Sequence, residues 1–350
     1  MSYTTINKST DYFNTKLWTG NNTARSITGV GHQPDLVWIK SRTQAYNHAI
    51  FDVIRDGHTY YIETNTTSAE ITDAQTLTSM NSDGFSLGTS NLVNQNVQNH
   101  VAWNWKANGT GVANTDGSIN STVSVNTTSG FSIVKYTGTN GTETVGHGLG
   151  VVPKMIIIKY YTSGKDWVVY HEGLTSGASL TLNGTSTQTL ASSKDYFNST
   201  APTSSVFTIK KDGVYDQVNN GTAGFIAYCF SDVQGFSKMG SYTGNGNADG
   251  PFIYTGFKPA FILEKRTDAG AGWNFFDNKR LGYNGANYWF VADNAEVEQT
   301  DNTGMFDILS NGFKVRSSFG SRNASGGNYI YMAFAEAPLV GTNGVTAKAR

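Results

Sequence analysis

Apolar and polar positions alternate in short runs along most of the chain, and the same order of runs recurs three times. In each copy a proline precedes a short apolar run that ends in a lysine, at residues 34–40, 153–159 and 259–265. Runs of this length, rich in Ile, Val, Leu and Phe, are typical of core strands, and a proline just before a strand removes no ladder hydrogen bond. The spacing between the copies is that of whole domains rather than of a short solenoid repeat.

The remainder of each copy follows one order as well. An aromatic segment comes next (47–52, 166–171 and 273–277), then an alternating one (83–87, 206–209 and 311–315), and finally an apolar strand (100–105, 224–230 and 329–334). No stretch of helical length carries an apolar period of 3.6 residues. The pattern therefore predicts an all-β protein made of three tandem antiparallel β-sandwich or jelly-roll-like domains.

Changes in composition suggest the boundaries. We expect an N-terminal arm (1–12), a first β domain (13–107), a glycine-rich linker with a possible extra strand (108–130), a second β domain (131–233), a third β domain (234–337) and a polar C-terminal tail (338–350). The joint between the second and third domains is short, which predicts that these two are in contact.

Composition and charge exclude several classes of function. Charged residues make up 15% of the chain, against about 25% in typical soluble domains, and the net charge of −1 provides no attraction to nucleic acid. The single cysteine, Cys229, excludes an intrachain disulfide and a cysteine-based metal cluster, and it lies in an apolar run that predicts burial. The N-terminus has no signal-peptide pattern and no segment has the length of a membrane span, so we expect synthesis in a cytosol, no membrane insertion and no cofactor.

Several sequence motifs in the middle of the chain are distinctive enough to indicate a protein family. Residues 103–109, 114–119, 121–126, 130–134 and 145–159 resemble a repeated domain of unknown function found in structural and tail-fibre-like proteins of tailed phages of marine bacteria. That family is often described as similar to concanavalin-like jelly rolls. The resemblance is densest over residues 80–175 and extends, more loosely, to all three copies. It implies a virion component and brings no active-site residues with it.

From this resemblance we expect a tail fibre or other surface appendage that attaches to the host, made in the bacterial cytoplasm and located in the virion. The expected partners are other virion proteins, further copies of the chain in a homo-oligomer, and a glycan or protein of the host surface. Two alternatives stay open: a capsid-decorating or tail-hub component with a purely assembly role, and a glycan depolymerase.

One loop has the spacing of a cation site. Asn245, Asn247 and Asp249 place oxygen atoms at alternate positions before a glycine, similar to the start of a calcium loop. The acidic first ligands and the closing glutamate of such a loop are missing, and an Asn/Gly turn explains the same residues. We therefore expect no metal, with these three residues as the candidates if one binds.

Aromatic residues are the candidates for a sugar site, because an indole face stacks on the apolar face of a pyranose. Trp167 and Trp273 occupy one position of the repeat, where the first copy has His48, and a shared position predicts core packing. Trp289 is less constrained by the repeat and is the candidate ligand-binding residue, with core packing as the alternative.

Carboxylates offer little support for an enzyme. Asp52, His171 and Asp277 fall at one position of the repeat, and the histidine argues against a shared catalytic acid. Glu296 and Glu298 share one face of a strand but have no counterparts in the other copies, whereas a retaining glycosidase needs two carboxyl groups about 5 Å apart in one cleft. We expect a protein without enzymatic activity.

Overall fold

Antiparallel strands make up almost all of the regular structure, which confirms the all-β class. The computed structural model describes residues 3–55, 58–211, 213–280, 284–301 and 305–341. The first repeat contains a short 3₁₀ helix (Ser9–Asp11), β1 (Phe13–Thr19), β2 (Arg25–Thr28), β3 (Leu36–Ser41), β4 (Ala49–Asp52), β5 (Tyr60–Glu63), β6 (Ile71–Thr72), β7 (Leu77–Asn81), β8 (Gly84–Leu87), α1 (Asn91–Asn94) and β9 (Asn99–Trp105).

The second and third repeats follow the same plan. The second contains β10 (Val112–Asn114), β11 (Ser121–Asn126), β12 (Phe131–Thr137), β13 (Thr142–Gly146), β14 (Met155–Tyr160), β15 (Trp167–His171), β16 (Leu180–Thr181), β17 (Val206–Lys210) and β18 (Gly224–Phe230). The third contains β19 (Ser237–Thr243), β20 (Phe252–Tyr254), β21 (Phe257–Arg266), β22 (Trp273–Asp277), β23 (Asn287–Val291), β24 (Gln299–Asp301), β25 (Phe306–Leu309), β26 (Gly312–Val315), α2 (Gly320–Asn323) and β27 (Asn328–Pro338).

Each repeat forms one large sheet and one small sheet. The large sheets have the orders β1-β9-β3-β4-β5-β6, β10-β11-β12-β18-β14-β15-β16 and β19-β27-β21-β22-β23-β24. The small sheets have the orders β2-β8-β7, β13-β17 and β20-β26-β25. The last strand of each repeat, β9, β18 or β27, therefore lies beside the proline-led strand, with β1, β12 or β19 on its other side. Within residues 108–130, expected to be a linker with a possible extra strand, β10 and β11 extend the large sheet of the second repeat.

Both faces of each large sheet are buried, but against different partners. In β3, Val37 and Ile39 pack in the apolar core between the two sheets of the first repeat. Leu36 and Trp38, on the opposite face, belong to a cluster with residues of all three repeats. Alternation of side chains along a strand accounts for this division. The continuous apolar run is thus explained by burial on both sides of the sheet.

The second face of every large sheet, which is the face turned away from the small sheet, contributes to one core shared by the three repeats. An aromatic ring from the last strand of each repeat meets the other two in a triangle. The ring centroids are 6.4 Å apart for Trp105 and Phe230, 6.0 Å for Phe230 and Phe334, and 5.8 Å for Trp105 and Phe334. Burial of such rings is a major source of stability, and here each ring packs against a ring of each of the other two repeats. Three independent tandem domains are therefore not confirmed, because the repeats share their largest apolar cluster.

Equivalent hydrogen bonds close the three repeats into a ring. The lysine that ends each proline-led strand is buried, and its ammonium group donates to a backbone carbonyl of the neighbouring repeat: Lys159 to Thr67 (3.0 Å), Lys265 to Ser186 (3.0 Å) and Lys40 to Ala295 (3.2 Å). Burial lowers the pKa of Lys40 to about 7 and the pKa values of Lys159 and Lys265 to about 8. The repeated lysine therefore connects each repeat to its neighbour, and we call each of these contacts between two repeats a joint of the ring.

The aromatic strand supplies a second bond at each joint. At the position shared by His48, Trp167 and Trp273, a ring N–H donates to a carbonyl of the neighbouring repeat: Trp167 to Glu63 (2.9 Å), Trp273 to Thr181 (2.9 Å) and His48 to Val291 (3.2 Å). All three rings are buried, so both tryptophans are core residues, as their shared position in the repeat predicts.

The repeat position held by Asp52, His171 and Asp277 provides a third contact between neighbouring repeats. The Tyr228 hydroxyl donates to Asp52 at 2.7 Å, the Trp103 indole donates to Asp277 at 3.1 Å, and the His171 ring donates to the Tyr331 carbonyl at 3.2 Å. Each bond joins one repeat to the next in the same cyclic direction. This position holds the ring together whether the residue is an aspartate or a histidine.

The N-terminal arm is packed against the third repeat. Ile6 is buried in the shared core, and the Tyr3 hydroxyl donates to the Gly256 carbonyl at 2.7 Å. The ring of Tyr12 contacts Phe236 at 5.9 Å. The arm therefore links the start of the chain to its third repeat. Residues 342–350 of the expected tail lie outside the described residues, and among those described no helix is long and apolar enough to cross a bilayer.

Candidate binding cleft in the third repeat

Three neighbouring buried positions of the fold are apolar in the first two repeats and polar in the third. The directly opposed pair on the proline-led and aromatic strands is Ile39–Ala49, then Ile158–Val168, and then Glu264–Asn274. The residue packed beside each pair is Val93, Val218 and Arg322 in turn. A replacement of three apolar side chains by polar ones costs stability unless each finds a partner, so it points to a local function.

The equivalence of Val93, Val218 and Arg322 rests on the asparagine that follows each of them. The side-chain oxygens of Asn94, Asn219 and Asn323 accept the backbone N–H of Asn21, Thr139 and Asn245, which follow equivalent glycines after the first strand. This hydrogen bond is therefore the same in all three repeats and aligns the residue that precedes each asparagine. That residue lies in a short helix in the first and third repeats and in a loop in the second.

The polar side chains of the third repeat form a connected network. Asn274 Nδ2 donates to Glu264 Oε2 at 2.9 Å, and an Arg322 guanidinium N–H donates to Asn274 Oδ1 at 3.2 Å. The Tyr242 hydroxyl donates to the Arg322 carbonyl at 2.8 Å and lies 3.3 Å from Glu264 Oε1. We call these four residues the Glu264 network.

Glu264 is enclosed completely, and burial raises its pKa to about 7, while the positive charge of Arg322 opposes the rise. The hydrogen bonds that Asn274 and the Tyr242 hydroxyl donate to this carboxylate also oppose the rise in its pKa. The network can thus change its charge near neutral pH.

A cleft of about 450 Å³ lies over this network, and Asn274 and Arg322 form part of its lining. The half-buried Trp289 projects from β23, and its ring centroid lies 4.5 Å from the Arg322 guanidinium carbon. Phe319, just before α2, is 71% exposed. We call this the third-repeat cleft; its other lining residues are Thr185, Gly272, Val291, Asp293, Asn294, Glu296, Gln299, Thr300, Met305 and Ser321.

One wall of the cleft comes from the second repeat. The Thr185 carbonyl accepts hydrogen bonds from the Ala271 N–H at 2.9 Å and from the Lys265 ammonium group at 3.3 Å. Lys265 is one of the three joint lysines. The cleft therefore adjoins a joint of the ring, and its lining includes residues of two repeats.

Two carboxylates and one guanidinium are the charged groups among the described lining residues. A side-chain oxygen of Asp293 accepts the Trp273 backbone N–H at 2.7 Å, and burial raises the pKa of this carboxyl group. Glu296 is exposed, and Arg322 is almost fully buried at the floor. The cleft thus has a mixed polar and aromatic lining with little excess charge.

Of the residues singled out in the sequence, Trp289 and Glu296 lie in the cleft. Glu298 does not: its carboxylate binds Arg42 at 2.8 Å and Arg280 at 3.3 Å, and both arginines are largely buried. The two glutamates therefore do not act as a pair. Cys229 is buried, and burial raises the pKa of its thiol.

The loop expected to hold calcium, if any metal binds, is built as a turn. Asn245 Oδ1 accepts the Asn247 N–H at 3.0 Å, and Asn247 Oδ1 accepts the Asp249 N–H at 2.9 Å. Asp249 Oδ1 lies 2.9 Å from the ammonium group of Lys314. The side-chain oxygens are thus already engaged, and no group of three or more His, Cys, Asp or Glu suited to a metal occurs among the described residues.

Sequence reasoning missed Glu264, Asn274, Arg322 and Phe319. A signal was present for Glu264, which interrupts an apolar run that is purely apolar in the other two copies. Arg322 had no comparable signal, because it lies in a segment whose alignment among the copies is visible only through the asparagine that follows it.

Comparison with known proteins assigns the chain to a family without assigning an activity. No curated protein and no solved structure matches it. The family match starts in the N-terminal arm and ends at the last residue of β27, so it covers all three repeats as one unit. The chain therefore belongs to the family described as Domain of unknown function (DUF7483), whose model matches residues 8–338.

Proposed function

We propose that this protein is a structural and receptor-binding component of a phage particle, a tail fibre or comparable surface appendage that attaches to the host without carrying out chemistry. The resemblance to phage structural proteins supports the virion location. The observation that carries the binding role is the Glu264 network beneath an open cleft of the third repeat; at the equivalent positions described in the first two repeats, apolar residues replace Glu264, Asn274 and Arg322.

The architecture fits a scaffold that presents one specialised site. We propose that three sandwich-like repeats arose by duplication of one unit and that their second faces closed into a ring. The repeated features, namely the joint lysines and the shared aromatic core, serve assembly. The third repeat alone departs from the common apolar pattern, which is the change expected when one copy acquires a separate role.

Binding is favoured over hydrolysis by the state of the nearby carboxyl groups. Of the two carboxyl groups in the lining, Asp293 is held by the Trp273 backbone N–H and Glu296 is exposed to solvent. Glu264 is fully enclosed, and Glu298 is bound by two arginines. A glycosidase needs two carboxyl groups that flank the bond to be cut. The cleft offers aromatic and hydrogen-bonding groups, which are sufficient for recognition.

Two measurements test the proposal. Immunogold labelling of intact particles with antibodies against the whole chain should mark a tail or surface appendage. The purified chain should also adsorb to cells of the host bacterium and should not shorten their surface polysaccharide. Labelling confined to the head, with no adsorption to cells, would overturn the attachment role in favour of capsid decoration.

A further inference from the structure

The lining of the third-repeat cleft joins an aromatic surface to groups that hydrogen-bond hydroxyls. Trp289 supplies the indole, and Phe319 forms an exposed apolar lip. Asn294 and Gln299 carry amides that both donate and accept, and Glu296 accepts. A ligand matched to this lining has an apolar face and many hydroxyl groups at its edge.

We infer that the third-repeat cleft binds a neutral saccharide, with one pyranose ring against Trp289 and its hydroxyl groups hydrogen-bonded by the amides and carboxylates of the lining. This inference rests on the proposed attachment function and names the receptor as a glycan. The volume of about 450 Å³ falls in the range of small-ligand sites, which is about 300–1,000 Å³.

The charges of the lining select against an acidic glycan. Asp293 and Glu296 are carboxylates, and the guanidinium of Arg322 is turned toward Trp289 and Asn274. An anionic sugar would meet two carboxyl groups in the lining of the cleft, which disfavours its binding. A neutral pyranose meets acceptors for its hydroxyl protons instead.

Arg322 acts as a positioning residue for the indole. Its guanidinium lies over the Trp289 ring at 4.5 Å and is tied through Asn274 to Glu264. A tryptophan held in this way loses little conformational freedom when a sugar stacks on it. The presence of Glu264, Asn274 and Arg322 where the other repeats have apolar residues is explained if these polar side chains hold the Trp289 ring in place.

The first experiment measures binding of the full-length chain to an array of neutral, acidic and amino oligosaccharides, followed by calorimetry with the best neutral one. Trp289→Ala should weaken binding about tenfold or more, and Phe319→Ala, at an exposed position, should weaken it without loss of folding. The matched control is Phe252→Ala, an exposed phenylalanine of the same repeat that does not line the cleft; its affinity should equal that of the parent chain.

The second experiment separates the saccharide from the attachment role. Adsorption of the chain to cells should be lost after periodate, which cleaves vicinal diols of surface sugars, and should survive protease treatment of the cells. Adsorption lost with protease but not with periodate, or preference for acidic glycans on the array, overturns the saccharide inference and leaves attachment standing. Absence of adsorption to untreated cells overturns both.

The role of Arg322 has its own readout. Arg322→Met should reduce affinity for the neutral oligosaccharide and should also shift the fluorescence emission of Trp289, measured as the difference from the same spectra in a Trp289→Phe background. Arg322→Lys, which keeps a cation near the ring, should recover part of the affinity. An unchanged Trp289 emission with Arg322→Met would refute a positioning role.

Discussion

Replacing Tyr228 with phenylalanine removes a single hydroxyl from the joint between the first two repeats. That hydroxyl donates to Asp52 Oδ2 at 2.7 Å, and the same carboxylate binds Arg55 Nε at 2.6 Å. Burial raises the pKa of Tyr228 far above its usual value, so the hydroxyl keeps its proton. A hydrogen bond to a charged group contributes about 1.5–3 kcal/mol, and we therefore expect the free energy of unfolding to fall by about 2 kcal/mol.

The size of the shift in thermal midpoint depends on how much of the chain unfolds together. With an unfolding entropy of about 2.1 cal/mol/K per residue, the whole 350-residue chain gives about 0.7 kcal/mol/K, and the midpoint should fall by about 3 °C. If a single repeat of roughly 110 residues unfolded by itself, the same loss would lower one of several midpoints by about 9 °C. The shared core predicts the smaller shift in a single transition.

Differential scanning calorimetry of the two proteins measures both quantities. The matched control is Tyr136→Phe, because the hydroxyl of Tyr136 donates at 2.8 Å to the Val218 carbonyl within the second repeat. This bond has a neutral acceptor, so we expect a loss of about 1 kcal/mol. Separate transitions in the parent chain, or a large shift of only one of them in Tyr228→Phe, would refute the conclusion that the repeats are stabilised as one unit.

Three further predictions concern individual side chains. The pKa of Glu264 is raised to about 7, so the folded chain binds a proton at this residue more tightly than the unfolded chain does. The free energy of unfolding should therefore fall as pH rises from 4.5 to 7, by up to about 3 kcal/mol. Urea titrations at pH 5 and pH 8 measure this difference, and Glu264→Gln should remove it. Lys159→Met removes the charged donor of two partly buried hydrogen bonds to the Thr67 and Lys165 carbonyls, so urea unfolding should show a loss of about 2 kcal/mol; a loss no larger than that of an exposed lysine variant would contradict the joint role. Asp249→Asn should leave the midpoint unchanged with or without calcium, because the loop closes through asparagine turns and Asp249 is exposed; a calcium-dependent rise in the parent chain that is absent from the variant would show a cation site instead.

The fold class could be predicted because strand formation depends on local pattern. The proline-led run ending at Lys40 and the aromatic strand before Asp52 are recognisable by length, alternation and turn residues alone. The lysine, too, was visible as a repeated residue. Its role was not, because one of the carbonyls that Lys40 binds, that of Ala295, lies in another repeat.

The cleft could be predicted only in part. Trp289 stood out as an aromatic residue outside the repeated pattern, and it does line the cleft. Arg322 and Thr185 come from distant parts of the chain, and they meet Trp289 only because the sheet order and the ring place α2 and the second repeat beside β23. No local pattern carries that information.

Sequence alone determined the strands, their threefold repetition and the low charge of the surface, because each depends on neighbouring residues or on composition. Tertiary structure decided what covers the second face of each large sheet. An apolar run shows that both faces of a strand are buried, but any apolar surface of suitable shape satisfies that requirement. In this protein, the other two repeats cover that face of each large sheet, and the ring, its joints and the third-repeat cleft follow from this arrangement.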